Sequence, residues 1–428
     1  MKLRLKNLIA FLIIYMMLVE AFISVFHMTR YIRYVVDLTA IALFFWGGKK
    51  FNKALSDKEF RWYYLYLFAY MGLLVLMAIL RFVPIGQILW AIRNNFLYIF
   101  FAIIAIYSMS VRDVDRIMNT IVKLQILNVI LGIYEYFVLH STDDYLGGIF
   151  GIEQGCNANL NIYMVIVSSY IVCRYLSKKS NLKTLLLTVS SCTFMAALSE
   201  LKMFYVELVL IVLCSVLLNK KSLKGFLVLA GGSIGIYIGI RVMMLVNPGS
   251  MEYLNSISNM IAYNMRTDYG GNDIRISRLG STNQVNNLFF GDNKFYRLFG
   301  FGLGACEDSM SFAWCNSEFA TMYRYLGYRN LTMAMTYLET GYIGLIAFAM
   351  VFVFMFIIAE KLKKKMVFHK EVAVFCQVIC VLTVVDFWYD NAIRMNVAYL
   401  TYFALVMVII YYKSEQQILK NKSIMEGK

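Results

Sequence analysis

The chain has 428 residues, of which 60% are hydrophobic and only two are prolines. Its mean hydropathy of +0.64 gives more apolar surface than a soluble domain of this length can bury, which excludes that class. A net charge of +15 is typical of a nucleic-acid-binding protein as well as of a membrane protein, and the positions of the basic residues decide between the two.

Long apolar runs follow one another along the chain and predict transmembrane helices. The first run follows the basic start of the chain and is too long for a signal-peptide core, so we expect an uncleaved span. The predicted spans number twelve and cover residues 8–26, 31–48, 62–80, 88–109, 118–139, 158–176, 184–199, 203–218, 225–246, 331–359, 372–390 and 395–412.

The basic residues between these spans predict the orientation. Lys and Arg are concentrated in residues 49–61, 111–116, 174–183, 219–224 and 360–370, as is typical of short cytoplasmic loops. We therefore predict a multi-pass protein of the cytoplasmic membrane with both termini in the cytoplasm. The positive charge then reflects topology and the lipid bilayer, and nucleic acid is not an expected partner.

The same orientation predicts one large polar loop outside the cytoplasm. The chain divides into spans 1 to 9 (1–246), this extracytoplasmic loop (247–330), spans 10 to 12 (331–412) and a cytoplasmic tail (413–428). The predicted fold class is therefore an all-α polytopic membrane protein with about twelve transmembrane helices and a large loop between spans 9 and 10.

The loop closes with the run LFGFGLGACEDS, in which glycine recurs at Gly300, Gly302 and Gly304. Glycine allows positive φ and close backbone approach, so the run either shapes a turn beside a bound polar group or only shapes the loop.

Cys306 and Cys315 follow and could be joined by a disulfide. No DxD-like or carboxylate-cluster signature for a divalent ion stands out, and we predict neither a metal nor a cofactor.

Three stretches have a recognisable order: GGIFGIEQGCNANLNIYMVIV, then LLLTVSSCTFMAALSELKMFYVELVLIVL, then ISRLGSTNQVNNLFFGDNKFYRLFGFGLG followed by LETGYIGLIAF. Together they resemble the O-antigen polymerase and O-antigen ligase family, membrane glycosyltransferases that use polyprenyl-pyrophosphate-linked glycans. The resemblance covers about residues 147–350. It implies a GT-C-like fold and glycosyl transfer outside the cytoplasmic membrane.

The chain departs from the family pattern at two places. Ser199, Glu200 and Lys202 stand where the family usually has a Ser-Arg junction between two spans, and lysine lacks the bidentate fork of arginine. Asn330 stands where the ligase branch has a histidine. The missing histidine favours a repeat-unit polymerase over a ligase.

Cations that could hold a pyrophosphate leaving group are the main catalytic candidates. Arg275 and Arg278, in NDIRISRLG, come first because guanidinium binds phosphate oxygens in pairs, although either could be a solvated loop arginine. Lys202 lies between two apolar runs, where a cation is costly unless it faces a cavity or a partner; it could also snorkel to the interface. Arg297 is a further substrate-binding candidate.

The remaining candidates are a carboxylate, four polar residues and the glycines. Glu339 lies inside an apolar run and is predicted either as a catalytic acid–base group or as a structural partner of a cation. The predicted substrate-binding residues are the three glycines above together with Arg93, Asn157, Asn159 and Asn330.

These observations predict a polymerase that joins lipid-linked oligosaccharide units into a capsular, exopolysaccharide or O-antigen-like chain. Its donor and acceptor would both be polyprenyl-pyrophosphate-linked, and a flippase and a chain-length regulator would be partners. The alternatives are ligase-type transfer to another acceptor and a lipid-linked glycan flippase or transporter, for which Arg93, Lys123 and Arg241 would line a path. Transporters often carry repeated halves, and the sequence has no such repeat.

Overall fold

The computed structural model describes residues 4–219, 241, 244, 256–267, 275–309 and 312–426. These residues form helices and turns and no β-strand, which confirms the all-α prediction. The α-helices are α1 (Leu5–Ser24), α2 (Tyr34–Gly47), α3 (Lys49–Ser56), α4 (Arg61–Leu80), α5 (Ile85–Asn95), α6 (Leu97–Ile106), α7 (Val111–Phe137), α8 (Cys156–Leu176), α9 (Leu182–Leu198), α10 (Lys202–Leu218), α11 (Ile257–Met265), α12 (Ser281–Val285), α13 (Lys294–Phe299), α14 (Glu318–Tyr323), α15 (Thr332–Lys365), α16 (Lys370–Tyr389) and α17 (Ala398–Glu426).

Within the described residues, six helices are long and apolar enough to cross a membrane: α1, α4, α7, α8, α15 and α16. The pair α5 and α6 is a seventh candidate and is bent by 43°. The chain is therefore a multi-pass membrane protein. The predicted count of twelve is not confirmed, because α2 has 14 residues and α9 and α10 have 17 each, fewer than the ~20 that cross a bilayer untilted. The predicted span 225–246 lies almost entirely outside the described residues.

Charged residues from loops that were predicted to be cytoplasmic pair with one another. Lys6 lies 2.9 Å from Asp113, and Lys365 lies 2.5 Å from Glu59. These pairs bring the start of α1, the loop before α4, the start of α7 and the end of α15 to one end of the bundle. The grouping of these loops agrees with the charge pattern, while the side of the membrane that they face stays a prediction.

The described part of the polar loop lies at the other end of the bundle, against the start and end of α5. The Gln87 side chain donates a hydrogen bond to the Asn316 carbonyl at 3.0 Å, and the Asn94 amide donates to the Glu307 carboxylate at 3.1 Å. The loop therefore packs on the helix ends that follow α4. We call this the loop end of the bundle.

The helix α8 forms the centre of the bundle. It packs against α9, α10, α16 and α17, and 83% of its apolar window is buried. Ser168 and Ser169 on this helix are fully buried, and small side chains at a helix interface let neighbouring backbones come close. The central position of α8 brings the first turns of α10 and the last turns of α16 close together at the loop end.

Candidate functional site

One aromatic ring at the loop end, that of Tyr263, has three cations around it. The Lys202 ammonium lies 5.5 Å from the ring centroid, the Arg266 guanidinium 5.6 Å and the Arg278 guanidinium 5.9 Å. Cations within about 6 Å of a ring centroid are attracted by its π face. Three of them at one ring concentrate positive potential, which is what binding of a polyanion requires. We call these four residues the Tyr263 cluster.

Two segments that run side by side bring Tyr263 to Arg278. The Leu279 N–H donates a hydrogen bond to the Asn264 carbonyl at 3.0 Å, so the residue after Tyr263 is paired with the residue after Arg278. The tyrosine is carried by α11, and the arginine lies in the turn before α12. The backbone pairing therefore brings the side chains of Tyr263 and Arg278 to one site, although the two residues are separated in the sequence.

Lys202 reaches the cluster from a different part of the chain. It is the first residue of α10 and follows a tight turn in which Glu200 has φ +52°. The Lys202 N–H donates to the Glu200 carbonyl at 2.8 Å. The turn corresponds to the junction between two predicted spans. The structure brings Lys202 and Arg278 together at one ring, and members of one cation site must lie close together in this way.

Arg278 also contacts the end of α16. Its Nε donates to the Tyr389 carbonyl at 3.0 Å, and its guanidinium lies 4.5 Å from the Tyr389 ring centroid. A planar guanidinium can stack on a ring and still present N–H groups at its edge. The contact holds Arg278 next to Asp390, the residue that follows α16.

Asp390 is the carboxylate of the site that directly follows the last residue of α16. Burial and, to a smaller extent, the charge of Asp386 raise its pKa to about 8, while a hydrogen bond from the Ala392 N–H and the charge of Arg278 oppose the shift. The Ala392 N–H donates to Asp390 Oδ1 at 2.9 Å. A carboxyl group with a pKa near neutrality can accept and release a proton under physiological conditions.

Two more carboxylates continue from Asp390 into the bundle. Asp386 lies one turn earlier on α16 and is 2% exposed, and Glu207 on α10 is fully buried. Asn161 of α8 donates to Glu207 at 2.8 Å. In the described ranges, no group of three or more His, Cys, Asp or Glu is arranged to hold a metal ion.

The predicted glycine turn forms a close backbone contact with the first part of α15. A Cβ on Gly300 would lie 2.4 Å from the carbonyl carbon of Glu339, and a Cβ on Gly341 would lie 2.4 Å from the carbonyl carbon of Leu298. Both glycines have positive φ, +66° and +60°, a backbone conformation that residues with a Cβ rarely adopt. The two segments therefore interlock, and we call this contact the glycine joint.

Glu339 is part of the glycine joint. Its carboxylate accepts hydrogen bonds from the N–H groups of Gly304 at 3.0 Å and Cys306 at 3.3 Å, and it lies 3.9 Å from Arg394. The structural alternative for this residue was a pairing with Lys202 or a loop arginine, and the cation observed beside it is Arg394, in the segment before α17. The two N–H contacts fix the glycine turn, and the catalytic role of Glu339 stays a prediction. The considered disulfide is absent, since Cys306 and Cys315 are both free thiols.

Arg93 contacts side chains of neighbouring segments of the bundle. Its guanidinium lies 2.7 Å from Asp37 and donates to Asn94 at 2.8 Å and to Asn396 at 3.1 Å. The predicted substrate contact is untested, and the observed partners connect α5 to α2 and to the start of α17.

The predicted arginines Arg275 and Arg297 lie in other places than the Tyr263 ring. The Arg275 side chain lies beside Gly327, and its Cδ is 3.7 Å from the position that a Cβ would occupy on that glycine. Arg297 lies on α13 and forms an ion pair with Asp292 at 3.4 Å. The structure therefore groups Arg278 with Lys202 and Arg266, and it separates Arg275 from that ring.

The predicted asparagines are spread over two regions. Asn157 donates to Asp144 at 2.9 Å, which ties the start of α8 to the preceding loop. Asn159 has a buried side-chain oxygen without a hydrogen-bond partner among the described residues. Asn330 is exposed, and its N–H donates to the Gly327 carbonyl at 3.0 Å. Binding of substrate by these residues stays a prediction.

Sequence reasoning missed the residues that complete the site from the far end of the chain. Tyr389, Asp390 and Arg394 all lie in the run WYDNAIR, which joins the end of the predicted span 372–390 to the short loop before the span 395–412. That run was predicted to lie on the same side as the large loop, and this was the available signal. Tyr263 gave no signal, because its role depends on the pairing of two loop segments.

Comparison with protein-family models gives no match to this chain. A search among curated proteins gives no match either.

Proposed function

We propose that this protein is a membrane glycosyltransferase that polymerises oligosaccharide repeat units carried on polyprenyl pyrophosphate into a surface polysaccharide. The observation that carries the proposal is the convergence of Lys202, Arg266 and Arg278 on the Tyr263 ring. Pyrophosphate is a polyanion, and two guanidinium groups and an ammonium can stabilise the charge that it gains as it leaves. Transfer would occur at the outer face of the cytoplasmic membrane, on the loop end of the bundle.

The proposed reaction is a displacement at the anomeric carbon of the donor glycan. An acceptor hydroxyl oxygen forms the new C–O bond, the bond from the anomeric carbon to the pyrophosphate breaks, and polyprenyl pyrophosphate leaves with the electron pair. Asp390 takes the proton of the hydroxyl, since its carboxyl lies beside Arg278 and has a pKa of about 8. Pyrophosphate is a good leaving group, so positioning and charge stabilisation supply most of the acceleration.

The observed positions of the intramembrane charges support a glycosyltransferase over a transporter. A transport path would need Arg93, Lys123 and Arg241 to face one central route. Arg93 is instead paired with Asp37, while Lys123 on α7 and Arg241 are both exposed. The Tyr263 cluster lies at one end of the bundle, which suits catalysis at one membrane face.

The ligase alternative differs from the polymerase in its acceptor. The position at which the ligase branch has a histidine is occupied by Asn330, whose exposed amide has no titratable proton. This favours a second lipid-linked unit as the acceptor. A flippase that delivers these units and a chain-length regulator are the partners that the proposal requires.

Deleting the gene in the source organism tests the proposal. Lipid-linked glycans and surface polysaccharide are analysed by gel and mass spectrometry, with Arg278→Ala and Arg324→Ala as complementing variants. We expect single repeat units accessible from outside and no long polymer in the deletion strain and with Arg278→Ala. Arg324→Ala is the matched control, because its side chain is 59% exposed and lies outside the Tyr263 cluster.

Two other results would each contradict the polymerase, and a third would contradict the assigned site. Single units confined to the cytoplasmic face would indicate a flippase. Full-length polymer that remains on its lipid carrier would indicate a ligase. Unchanged surface polysaccharide with Arg278→Ala would remove the Tyr263 cluster from catalysis.

A further inference from the structure

A second arginine at the loop end lies on aromatic rings but outside the Tyr263 cluster. Arg81 directly follows α4, and its guanidinium carbon lies 4.4 Å from the centroid of Phe295 and 4.6 Å from that of Tyr296. Both rings belong to α13. Cation–π contacts occupy the face of a guanidinium and leave the N–H groups at its edge for an anion.

Two nitrogens at the edge of the Arg81 guanidinium are unpaired within the described part of the chain. Its Nε and Nη2 are buried and have no hydrogen-bond partner among the described residues. Arg297, also on α13, has a buried Nε in the same condition. Buried guanidinium N–H groups are strong donors that are normally paired. One of these arginines lies on α13 and the other stacks on the rings of α13, so their N–H groups are candidate donors to an anionic ligand.

Exposed apolar side chains flank Arg81 in the chain and lie on α13. Leu80 is 59% exposed and Phe82 is 92% exposed, and Phe295 and Leu298 on α13 are each nearly half exposed. A free phosphate or pyrophosphate ion would gain nothing from these side chains. An anion that is attached to a hydrocarbon chain would place its charge on the guanidinium edge and its chain along this surface.

The glycine joint lies directly against Arg81. A Cβ on Gly302 would lie 3.2 Å from the Cβ of Arg81 and 2.9 Å from the side chain of Val83. The run Gly300 to Gly304 therefore borders Arg81 on one side. The same run interlocks with α15, and α15 packs against α16, the helix that ends at Tyr389. Arg81 and the Tyr263 cluster are thus two separate cation sites at the same end of the bundle.

We propose that Arg81, assisted by Arg297, binds the pyrophosphate of a second polyprenyl-linked unit, which is the acceptor of the reaction. This inference rests on the proposed function. A polymerase must hold two lipid-linked units at once, and only the donor loses its pyrophosphate. The acceptor keeps the bond to its own pyrophosphate throughout, so its site has to bind and position the charge without stabilising a leaving group. A single stacked guanidinium with a neighbouring arginine meets that requirement, whereas the donor site has three cations and a carboxylate.

The test counts binding sites with a short prenyl pyrophosphate. Purified full-length protein in detergent is titrated with farnesyl pyrophosphate, and the number bound is read by native mass spectrometry for the wild type, Arg81→Ala, Arg81→Lys and Arg278→Ala. We expect two molecules on the wild type and one on Arg81→Ala and on Arg278→Ala. Arg81→Lys keeps the charge but lacks the planar edge, and we expect it to weaken the second site at least tenfold without emptying the first.

The outcomes separate this inference from the proposed function. One molecule on the wild type that is lost in Arg278→Ala and retained in Arg81→Ala overturns the second site and leaves the polymerase standing. No binding to the wild type overturns both. Arg81→Lys distinguishes a binding role from a structural one. If Arg81→Lys keeps the second site unchanged, while Arg81→Ala loses it and has a shifted melting temperature, then Arg81 is structural. That result also overturns the inference.

Competition identifies the source of the anion. Inorganic pyrophosphate and phosphatidylglycerol are added in separate titrations at the same concentrations as the prenyl pyrophosphate. We expect neither to displace the molecule that depends on Arg81. Displacement by inorganic pyrophosphate would mean a site for a free anion. Displacement by phosphatidylglycerol would mean a site for an ordinary lipid headgroup. Either result overturns the assignment to a lipid-linked pyrophosphate.

Discussion

Arg278 is held at Tyr389 by two contacts at once, a hydrogen bond from its Nε to the carbonyl at 3.0 Å and a guanidinium-to-ring distance of 4.5 Å. The first residue lies in the polar loop and the second ends α16, so the contact fixes the loop on the helix bundle. It also sets the position of the arginine relative to Asp390. Every consequence for catalysis below depends on this placement.

The ring of Tyr263 is predicted to organise the cations for donor binding. Tyr263→Ala removes three cation–π contacts, worth about 1–2 kcal/mol together, and should raise the KM for the lipid-linked donor roughly 5- to 30-fold. Tyr263→Phe keeps the ring and should change the KM less than threefold. Initial rates of polymer formation against donor concentration measure both. Equal KM values for Tyr263→Ala and the wild type would contradict the role of the ring.

The pH dependence of the rate tests Asp390 as the proton acceptor. Its pKa in the folded protein is about 8, mainly because it is buried. A general base acts in its deprotonated form, so the rate should rise with pH, level off above about 8 and fall tenfold per pH unit well below it. Asp390→Asn should lower the rate about 10²- to 10⁴-fold and abolish this profile. An unchanged profile in Asp390→Asn would assign the proton transfer to another group.

The same pKa shift predicts how Asp390 affects stability. The folded protein binds this proton more tightly than the unfolded chain, whose carboxyl has the ordinary value of 3.8. The contribution to the free energy of unfolding is therefore fully present below the ordinary value and is lost as the pH rises through about 8. Melting temperatures of the wild type should fall across this range relative to those of Asp390→Asn. A constant difference between the two proteins would contradict the shift.

The glycine joint should not accept a side chain. In Gly300→Ala the new Cβ would meet the Glu339 backbone at 2.4 Å, and the positive φ alone costs about 1–2 kcal/mol, so we expect a lower melting temperature and less folded protein. Gly155→Ala is the control for φ, since Gly155 has φ +82° and nothing within 4 Å among the described residues. Gly72→Ala in α4 is equally open and should be neutral or stabilising. Equal stability of Gly300→Ala and Gly155→Ala would mean that the close contact is not formed.

Removing Arg394 should destabilise the protein strongly. It forms an ion pair with Glu307, whose side chain is only 4% exposed, and loss of one partner of a buried pair costs about 3–5 kcal/mol. Adding Glu307→Gln to Arg394→Ala should restore part of the loss, because the Glu307 charge is then no longer left unpaired. Arg324→Ala removes an exposed arginine that lies 3.9 Å from Asp308 and should cost at most about 1 kcal/mol. Thermal unfolding in detergent compares the three.

The sequence predicted the helical membrane class because apolar runs and basic loops depend only on local composition. It also predicted one cation site of Lys202, Arg275 and Arg278, of which Lys202 and Arg278 lie at the Tyr263 ring and Arg275 lies beside Gly327. The number of spans was less predictable, since α2, α9 and α10 are apolar but short, and apolar content alone does not fix helix length. Tyr263 and Asp390 were missed, because their roles arise from the pairing of Leu279 with Asn264 and from the packing of α16, and neither contact leaves a pattern in the sequence.

The measurement that tests the central claim most directly is polymer formation by the purified protein. Reconstituted wild type and Arg278→Ala are incubated with repeat units on polyprenyl pyrophosphate, and both the glycan length and the released polyprenyl pyrophosphate are measured. We predict that the wild type makes chains of several units and releases one polyprenyl pyrophosphate for each new bond, and that Arg278→Ala makes no chain although it is equally well folded. Absence of polymer with the wild type, or chains of normal length with Arg278→Ala, would contradict the account.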